Sequence, residues 1–499
     1  MATSPVCLII PPSAFLLDER VFMTLGILKV AAVLEKQGVR VELLDLSGIA
    51  NYVDAVKAHA RSSTAQVYGL TATTPQLPAA TEIVAALRET QPRARLILGG
   101  PHITLVHAAA KRERKAQRPG RALAALAMLE ELFDVLVAGD GEEAISHAIA
   151  PDAPKLIDAD DPSSSLFLDN KRLTELPFPA RHLIDVDSYR YSIDGVPALS
   201  LIAQLGCPFA CGFCGGRESP MLRRVRMRTS ENIVEEMIHL FRTTGRRGFM
   251  LYDDELNVNK KMVELMEQIA RAQRDLGVKW HLRGFIKSQL FTDEQAKAMR
   301  EAGFLWILTG FESGSPRILE NINKRATQDE NTRCMDIARR HGLKVKALMS
   351  VGHPGESHET LNATKQWLLD VKPEDFDVSI ITCYPGTPYY DQAVPVAERP
   401  GEWVYTFPKN GDRLYQFDID YTRVANYYKG DPDAGYCAYV YTDELSTTEL
   451  VSQRDQMERE LRQTLNIPFN PGAAAVRYEH SMGQMGALPA NILRTSSKA

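Results

Sequence analysis

The chain has 499 residues, 44% of them hydrophobic and 24% charged, with a formal net charge of −5 at pH 7. That length gives room for two or three domains with large cores, and the composition is ordinary for a globular protein. The mildly acidic balance points to neither nucleic acid nor a membrane surface: the densest basic run, "KRERKAQRPGR" (Lys111–Arg121), is short and lacks interleaved aromatics, and no apolar stretch approaches the roughly 18–20 residues that span a bilayer.

The opening "MATSPVCLIIPPSAF" has no positive leader, and its apolar run stops at Pro11-Pro12, so a buried first strand and a turn are expected there instead of a signal peptide. Next come a helical pattern, "GILKVAAVLEKQG", with Gly38 as its C-cap, then "VRVELLDL", a helix around Asn51–Arg61, "QVYGLTATT", a helix around Ala79–Thr90, "ARLILGGPH" and "FDVLVAGDGEEA". Strands that are apolar nearly throughout and alternate with helices predict an α/β domain over residues 1–150, built on a doubly wound (Rossmann-like) parallel sheet. Such sheets bind ligands at the carboxyl ends of their strands.

Over residues 151–197 the periodicity weakens and Asp, Ser and Pro accumulate, which reads as a linker. A second strand–helix series then runs through "ALSLIAQLG", "GFMLYDDEL", "VKWHLRGF", "FLWILTGFESG", "KVKALMSVGHPGE" and "FDVSIITCYPGTP". It predicts a partial or complete parallel α/β (TIM-like) barrel over residues 198–395, with its chemistry at the carboxyl ends. Residues 396–499 are expected to form a small region covering the barrel mouth, rich in tyrosine (Tyr405, Tyr415, Tyr421, Tyr427, Tyr428 and Tyr436), with a poorly ordered end.

Seven cysteines, an odd number and mostly scattered, do not make a disulfide framework, and a reducing cytoplasm is expected. Three of them crowd into "QLGCPFACGFCGG": Cys207, Cys211 and Cys214, spaced C-x3-C-x2-C. Structural zinc normally takes four ligands, whereas three thiolates suit a [4Fe–4S] cluster with one iron left open for a small molecule. A zinc site completed by a distant ligand, or three structural cysteines, are the alternatives that spacing leaves open.

The spacing, with Phe213 just before the third cysteine, resembles the signature of radical S-adenosylmethionine (SAM) enzymes. That resemblance implies Cys207, Cys211 and Cys214 as cluster ligands and Phe213 as an adenine contact. "GFESGSPRILENINK" resembles the family's fourth-strand segment, in which Glu312, Ser313 and Gly314 would line the ribose and methionine of SAM. "YDDELN" matches the paired-aspartate turn after the second strand (Asp253, Asp254), and "WHLRGFIKS" keeps Arg283 after the third, without the acidic partner the family often has. His353 stands where an aliphatic residue is usual, and Arg325 where a glycine is expected.

The amino-terminal domain has no G-x-G-x-x-G in its first turn, so a dinucleotide fingerprint is absent. Its strand ends "GLTATTPQ", "GGPHIT" and "GDGEEAI" instead resemble the cobalamin-binding domain fused ahead of many radical SAM barrels. By that resemblance Thr73, Thr74, Gly100, Pro101, His102, Gly139 and Glu142 would border the corrin and its nucleotide tail. The D-x-H-x-x-G motif that supplies a lower axial histidine in many cobalamin domains is missing, so cobalamin is expected with its base detached and no histidine on cobalt.

The two resemblances together imply a cytoplasmic cobalamin-dependent radical SAM enzyme: a methyltransferase acting on an unactivated carbon of a small-molecule or biosynthetic-intermediate substrate. A 5′-deoxyadenosyl radical removes hydrogen and methylcobalamin supplies the methyl group, with an external electron donor of flavodoxin or ferredoxin type. Oxidative cyclisation or skeletal rearrangement is the alternative within the enzyme class, and a cobalamin or iron–sulfur sensor the alternative outside it. No side chain is assigned a catalytic acid, base or nucleophile role, since the cofactors carry the chemistry.

Overall fold

Val6–Ile10 (β1) is buried along its whole length, as a central strand of a parallel sheet covered on both faces must be. The computed structural model describes residues 4–13, 16, 18–117, 120–427, 436–468 and 495–497. β1 is flanked by β2 (Val41–Asp45) and β3 (Val67–Thr71), followed by β4 (Arg95–Gly99), β5 (Val135–Gly139) and β6 (Leu156–Ala159), in the order β2-β1-β3-β4-β5-β6. All five pairings are parallel. Helices α1 (Leu25–Lys36) and α6 (Gly141–Ala148) cover one face, while α2 (Tyr52–Ser62), α3 (Leu77–Thr90), α4 (Pro101–Lys115) and α5 (Arg121–Leu132) pack into the core on the other. The strand order reverses between β1 and β3, the switch point at which doubly wound sheets open a crevice.

The second sheet begins with a hairpin, β7 (Ser192–Ile193) and β8 (Val196–Leu201). A short pair, β9 (Gln204–Leu205) and β10 (Arg226–Met227), brackets the cysteine loop. The sheet continues through β11 (Gly248–Leu251), β12 (His281–Phe285), β13 (Phe304–Glu312), β14 (Lys344–Val351) and β15 (Asp375–Ile380), in the order β15-β14-β13-β12-β11-β8-β7. Six strands run parallel in sequence order, and β15 pairs only with β14, so the barrel is partial. The connecting helices start where the sequence supplies caps: Thr229 caps Ser230–Thr244, and capping boxes at Thr292, Thr327 and Ser357 open the three helices ahead of β13, β14 and β15.

Two boundary readings change. The expected linker contains β6, which completes the first sheet, and Ala180, Leu176 and Leu183 from the same segment join that sheet's apolar cluster. The expected cover over the barrel mouth divides in two. A small antiparallel sheet, β16 (Val394–Pro395), β17 (Glu402–Thr406), β18 (Arg413–Phe417) and β19 (Val440–Tyr441), sits against the carboxyl ends of β14 and β15, where Thr442 donates to the carbonyl of Glu356 at 2.8 Å. The helix Thr447–Thr464 instead lies along the open edge of β15. Arg454 and Arg462 donate to the carbonyls of Val378 and Phe376, and Glu458 accepts from the amide of Val378. Those side chains satisfy backbone groups that an edge strand would otherwise expose. Tyr428 and the chain end read as poorly ordered (469–494 and 498–499) lie outside the described residues.

Candidate active site

The cysteine loop leaves β9 at the carboxyl end of the first parallel barrel strand. The Cys207 amide donates to the carbonyl of Leu222 at 3.0 Å, and the Gly212 amide to that of Ile322 at 2.7 Å. Glycine is required at 212, because a Cβ there would lie 2.2 Å from the Tyr389 ring. The three thiols are free, Cys211 is buried, and Cys207 and Cys214 are partly exposed. Desolvation pushes the Cys214 thiol up to about 12 against the pull of Arg217, whose Nη2 donates to its Sγ at 3.5 Å. Lys287 lies 4.2 Å over the Phe209 ring, and its charge is coupled to Cys211 and Cys207. Three free thiols on one glycine-bent loop, flanked by cations, form a donor set that suits a cluster able to hold them as thiolates.

Beside this loop stands a buried polar chain. Glu312 ends β13 with φ +66°, at a point where the register with β14 shifts, and that left-handed backbone is a strained position for a non-glycine residue. Its carboxylate accepts from Lys324 Nζ at 2.9 Å and from Ser350 Oγ at 2.7 Å. Burial works against its charge, but Lys324 and Ser350 outweigh it and hold the carboxyl below its ordinary value. Ser350 Oγ also meets His353 Nε2 at 2.8 Å, and the His353 ring packs edge-on against Phe213, 5.3 Å between centroids. Burial lowers the His353 pKa to about 3, so the ring is neutral. Lys324, Ser350, His353 and Tyr389, whose hydroxyl lies 3.5 Å from His353 Nδ1, are members that no motif assigned. The departure at His353, an imidazole where an aliphatic residue is usual, was the signal in the sequence that pointed there.

The other sequence-predicted SAM residues separate. Ser313 Oγ bonds Thr364 Oγ1 at 2.9 Å, and the Gly314 amide donates to the same oxygen. A Cβ on Gly314 would meet Trp367 and the Ala363 carbonyl within 2.8 Å, so this turn is locked onto the helix His358–Val371. Asp253 accepts from the amides of Ala203 and Gln204, and Asp254 from that of Gly206. Both therefore hold the approach to the cysteine loop. Arg283 pairs in register with Met250 on β11 and Trp306 on β13 and packs against Tyr191, while Glu312 is at the far end of β13, roughly 20 Å on from Trp306.

At the carboxyl edge of the first sheet lies a cavity of about 270 Å³. Thr73, Gly100, Pro101, Gly139 and Glu142 line it. Thr74 and His102 do not. They bond each other at 3.0 Å, and the His102 ring turns into the core against Tyr421, with its pKa lowered to about 4 by burial. Among the described residues, no histidine lines it. The walls are mostly apolar, with bare glycine backbone at the strand ends, which suits a heterocyclic tail inserted edge-on. Lys29, only 6% exposed, supplies a cation in the wall; burial lowers its pKa while Glu142 pulls it up. It was missed because it sits in the middle of an apolar helical pattern. Ile202, Leu205, Met221 and Leu222 close the cavity from the barrel side, and the cysteine loop packs on α4, where Gly215 approaches Leu105.

Comparison with known proteins agrees with this division. Residues 201–368 match the family model of the radical SAM superfamily, and residues 19–127 that of the B12 binding domain. The chain is 26% identical over 329 residues to an uncharacterized methyltransferase, PH0819, of Pyrococcus horikoshii, covering 66% of this chain and 69% of that one. It is 28% identical over 342 residues to the anaerobic magnesium-protoporphyrin IX monomethyl ester cyclase of Cereibacter sphaeroides, covering 65% of this chain and 53% of that one, so the chain spans about half the length of the cyclase. The fold superposes on the radical SAM methyltransferase TsrM of Kitasatospora setae, solved with cobalamin and a [4Fe–4S] cluster, with a TM-score of 0.62 at 18% identity, covering 82% of each chain. Among the described residues no helix is long and apolar enough to cross a membrane.

Proposed function

Because the chain belongs to the radical SAM superfamily and carries a B12 binding domain ahead of its barrel, we propose that it is a cobalamin-dependent methyltransferase acting on an unactivated carbon of a small molecule. One observation carries this reading: the cavity at the edge of the first sheet is closed by Leu205 and Leu222, and Leu222 is also the residue whose carbonyl anchors Cys207. The two cofactor sites therefore share a wall. When bound, the cluster with SAM supplies a 5′-deoxyadenosyl radical, and cobalamin supplies a transferable methyl group.

Cys207, Cys211 and Cys214 hold the cluster, and Arg217 and Lys287 offset the charge of its thiolates. Glu312, fixed by Lys324 and Ser350, faces the polar groups of SAM, and Phe213, braced by His353, offers a flat face to the adenine. The Ser313-Gly314 turn lines the same side through its backbone, since the Ser313 hydroxyl is already engaged by Thr364. Asp253 and Asp254 position the loop instead of touching SAM. Thr73, Gly100, Pro101, Gly139 and Glu142 border the corrinoid, and Lys29 faces the phosphate of its nucleotide tail. An external donor of flavodoxin or ferredoxin type delivers the electron.

The cyclase relative favours oxidative cyclisation as the second reading. Electron paramagnetic resonance of the Co(II) form tests whether cobalamin binds with His102 off the cobalt. With His102 turned into the core, no nitrogen splitting from a histidine is expected, and His102→Ala leaves the signal unchanged. Nitrogen splitting that disappears in His102→Ala would contradict it.

A further inference from the structure

A second group of metal-ligating side chains lies on the opposite face of the first sheet from the cofactor cavity. Cys7 on β1 stands beside Glu42 on β2 and beside Tyr68 on β3, so a thiol, a carboxylate and a phenol are lateral neighbours. The last turn of α2 brings His59 over them. Its Nε2 lies 3.4 Å from Cys7 Sγ and 3.1 Å from Glu42 Oε2, and one ligand atom of each residue lies within 4.8 Å of the other two.

The same ring nitrogen faces both partners. One proton on Nε2 cannot be donated well to a sulfur and a carboxylate at once, whereas a cation between the three meets all of them. A catalytic thiol–imidazole–carboxylate relay would instead place the thiol and the carboxylate on different ring nitrogens. Cys7 is also fully buried, so it is closed to substrate. Tetrahedral zinc, at about 2.3 Å from sulfur and about 2.0–2.1 Å from nitrogen and oxygen, spaces its ligand atoms by about 3.3–3.6 Å. The observed 3.4 and 3.1 Å fit that frame with little adjustment. Ser63 donates to Glu42 Oε2 at 2.6 Å and orients it, the outer support such carboxylates usually have.

We propose that Cys7, Glu42 and His59 form a zinc site, with water in the fourth position, that clasps the edge strand β2 and helix α2 to β1. Glu42 and His59 are about a quarter exposed, which leaves the ion an entry path and room for that water. Thiolate with imidazole and one carboxylate is a borderline donor set that selects zinc over calcium or magnesium.

The test is metal content of the full-length protein after incubation with zinc and removal of the free ion, with X-ray absorption at the zinc edge. A variant lacking Cys207, Cys211 and Cys214 serves as background for stray binding in the iron site. About one zinc per chain, with one sulfur and three nitrogen or oxygen neighbours, is expected in both proteins. His59→Gln and Glu42→Gln should each lose the zinc while the iron content of the otherwise wild-type chain stays unchanged. If His59→Gln does not fold, the more exposed Glu42→Gln decides. No zinc in the wild type, or zinc that persists in Glu42→Gln and vanishes when the three loop cysteines are removed, would overturn the site.

Discussion

Arg226 donates to Asp140 at 2.5 Å across the junction of the two sheets, and both side chains are at least 96% buried. Arg226 belongs to the strand that closes the cysteine loop, and Asp140 immediately precedes α6 at the wall of the cavity. Burial pushes the Asp140 carboxyl up to about 6 despite the guanidinium, so its charge depends on that partner. Arg226→Met should therefore cost about 3–5 kcal/mol, because it strands a buried carboxylate. Asp140→Asn combined with Arg226→Met should recover much of the loss. Urea unfolding followed by circular dichroism measures both, and equal losses in the single and double variants would show that the pair is not coupled.

Gly26 lines the cavity at the start of α1, and a Cβ there would meet nothing within 4 Å. Gly26→Trp should fold normally, since replacing a helical glycine costs nothing by propensity. The indole would occupy space assigned to the corrinoid. Cobalamin affinity, read from absorbance during titration, should fall about tenfold or more, equivalent to about 1.4 kcal/mol or more. Iron content should not change. Undiminished cobalamin binding would place the tail elsewhere.

Glu312→Gln removes a buried charge that Lys324 and Ser350 both hold. SAM affinity, measured by equilibrium dialysis of the cluster-loaded protein, should drop by about tenfold, the scale of one lost charged contact. Ser350→Ala should drop it less, and both should keep the cluster. Unchanged affinity in Glu312→Gln would take the carboxylate out of the SAM site.

His102 and His353 titrate at about 4 and about 3 in the folded chain, below the ordinary value near 6.5. Between those values the unfolded chain binds more protons, so stability is complete above pH 6.5 and is lost as pH falls through that window. From pH 7 to pH 5 each histidine should contribute roughly 2 kcal/mol of loss. His102→Gln and His353→Gln should each flatten the pH dependence of urea unfolding by about that amount. A slope unaffected by both substitutions would mean that the two rings are protonated in the fold.

The cysteine loop was legible because C-x3-C-x2-C is a local spacing, and the bend at Gly212 travels with it. The sheet-edge glycines were legible for the same reason: Gly100 follows directly on β4 and Gly139 ends β5. The direction of His102 was not. It opens α4 in the sequence as a neighbour of Pro101, and Thr74 and the distant Tyr421 together hold the ring turned into the core. β6 was hidden because its short alternating pattern, "LIDA", is framed by Asp, Ser and Pro that read as linker. Arg283 follows the motif in order but its side chain joins Tyr191 and Trp306, and which neighbours a strand residue meets comes from register, which no single segment encodes.

In the proposed reaction one chain couples SAM cleavage at the cysteine loop to methyl transfer through the neighbouring cavity. The most direct measurement is the product balance of the anaerobic, cluster- and cobalamin-loaded enzyme given SAM and a strong reductant. Both S-adenosylhomocysteine and 5′-deoxyadenosine are expected. The first should fall selectively in Gly26→Trp, and both should disappear when Cys207, Cys211 or Cys214 is replaced. Formation of 5′-deoxyadenosine alone, with cobalamin bound and no S-adenosylhomocysteine, would contradict methyl transfer and leave the cyclase-like reaction in its place.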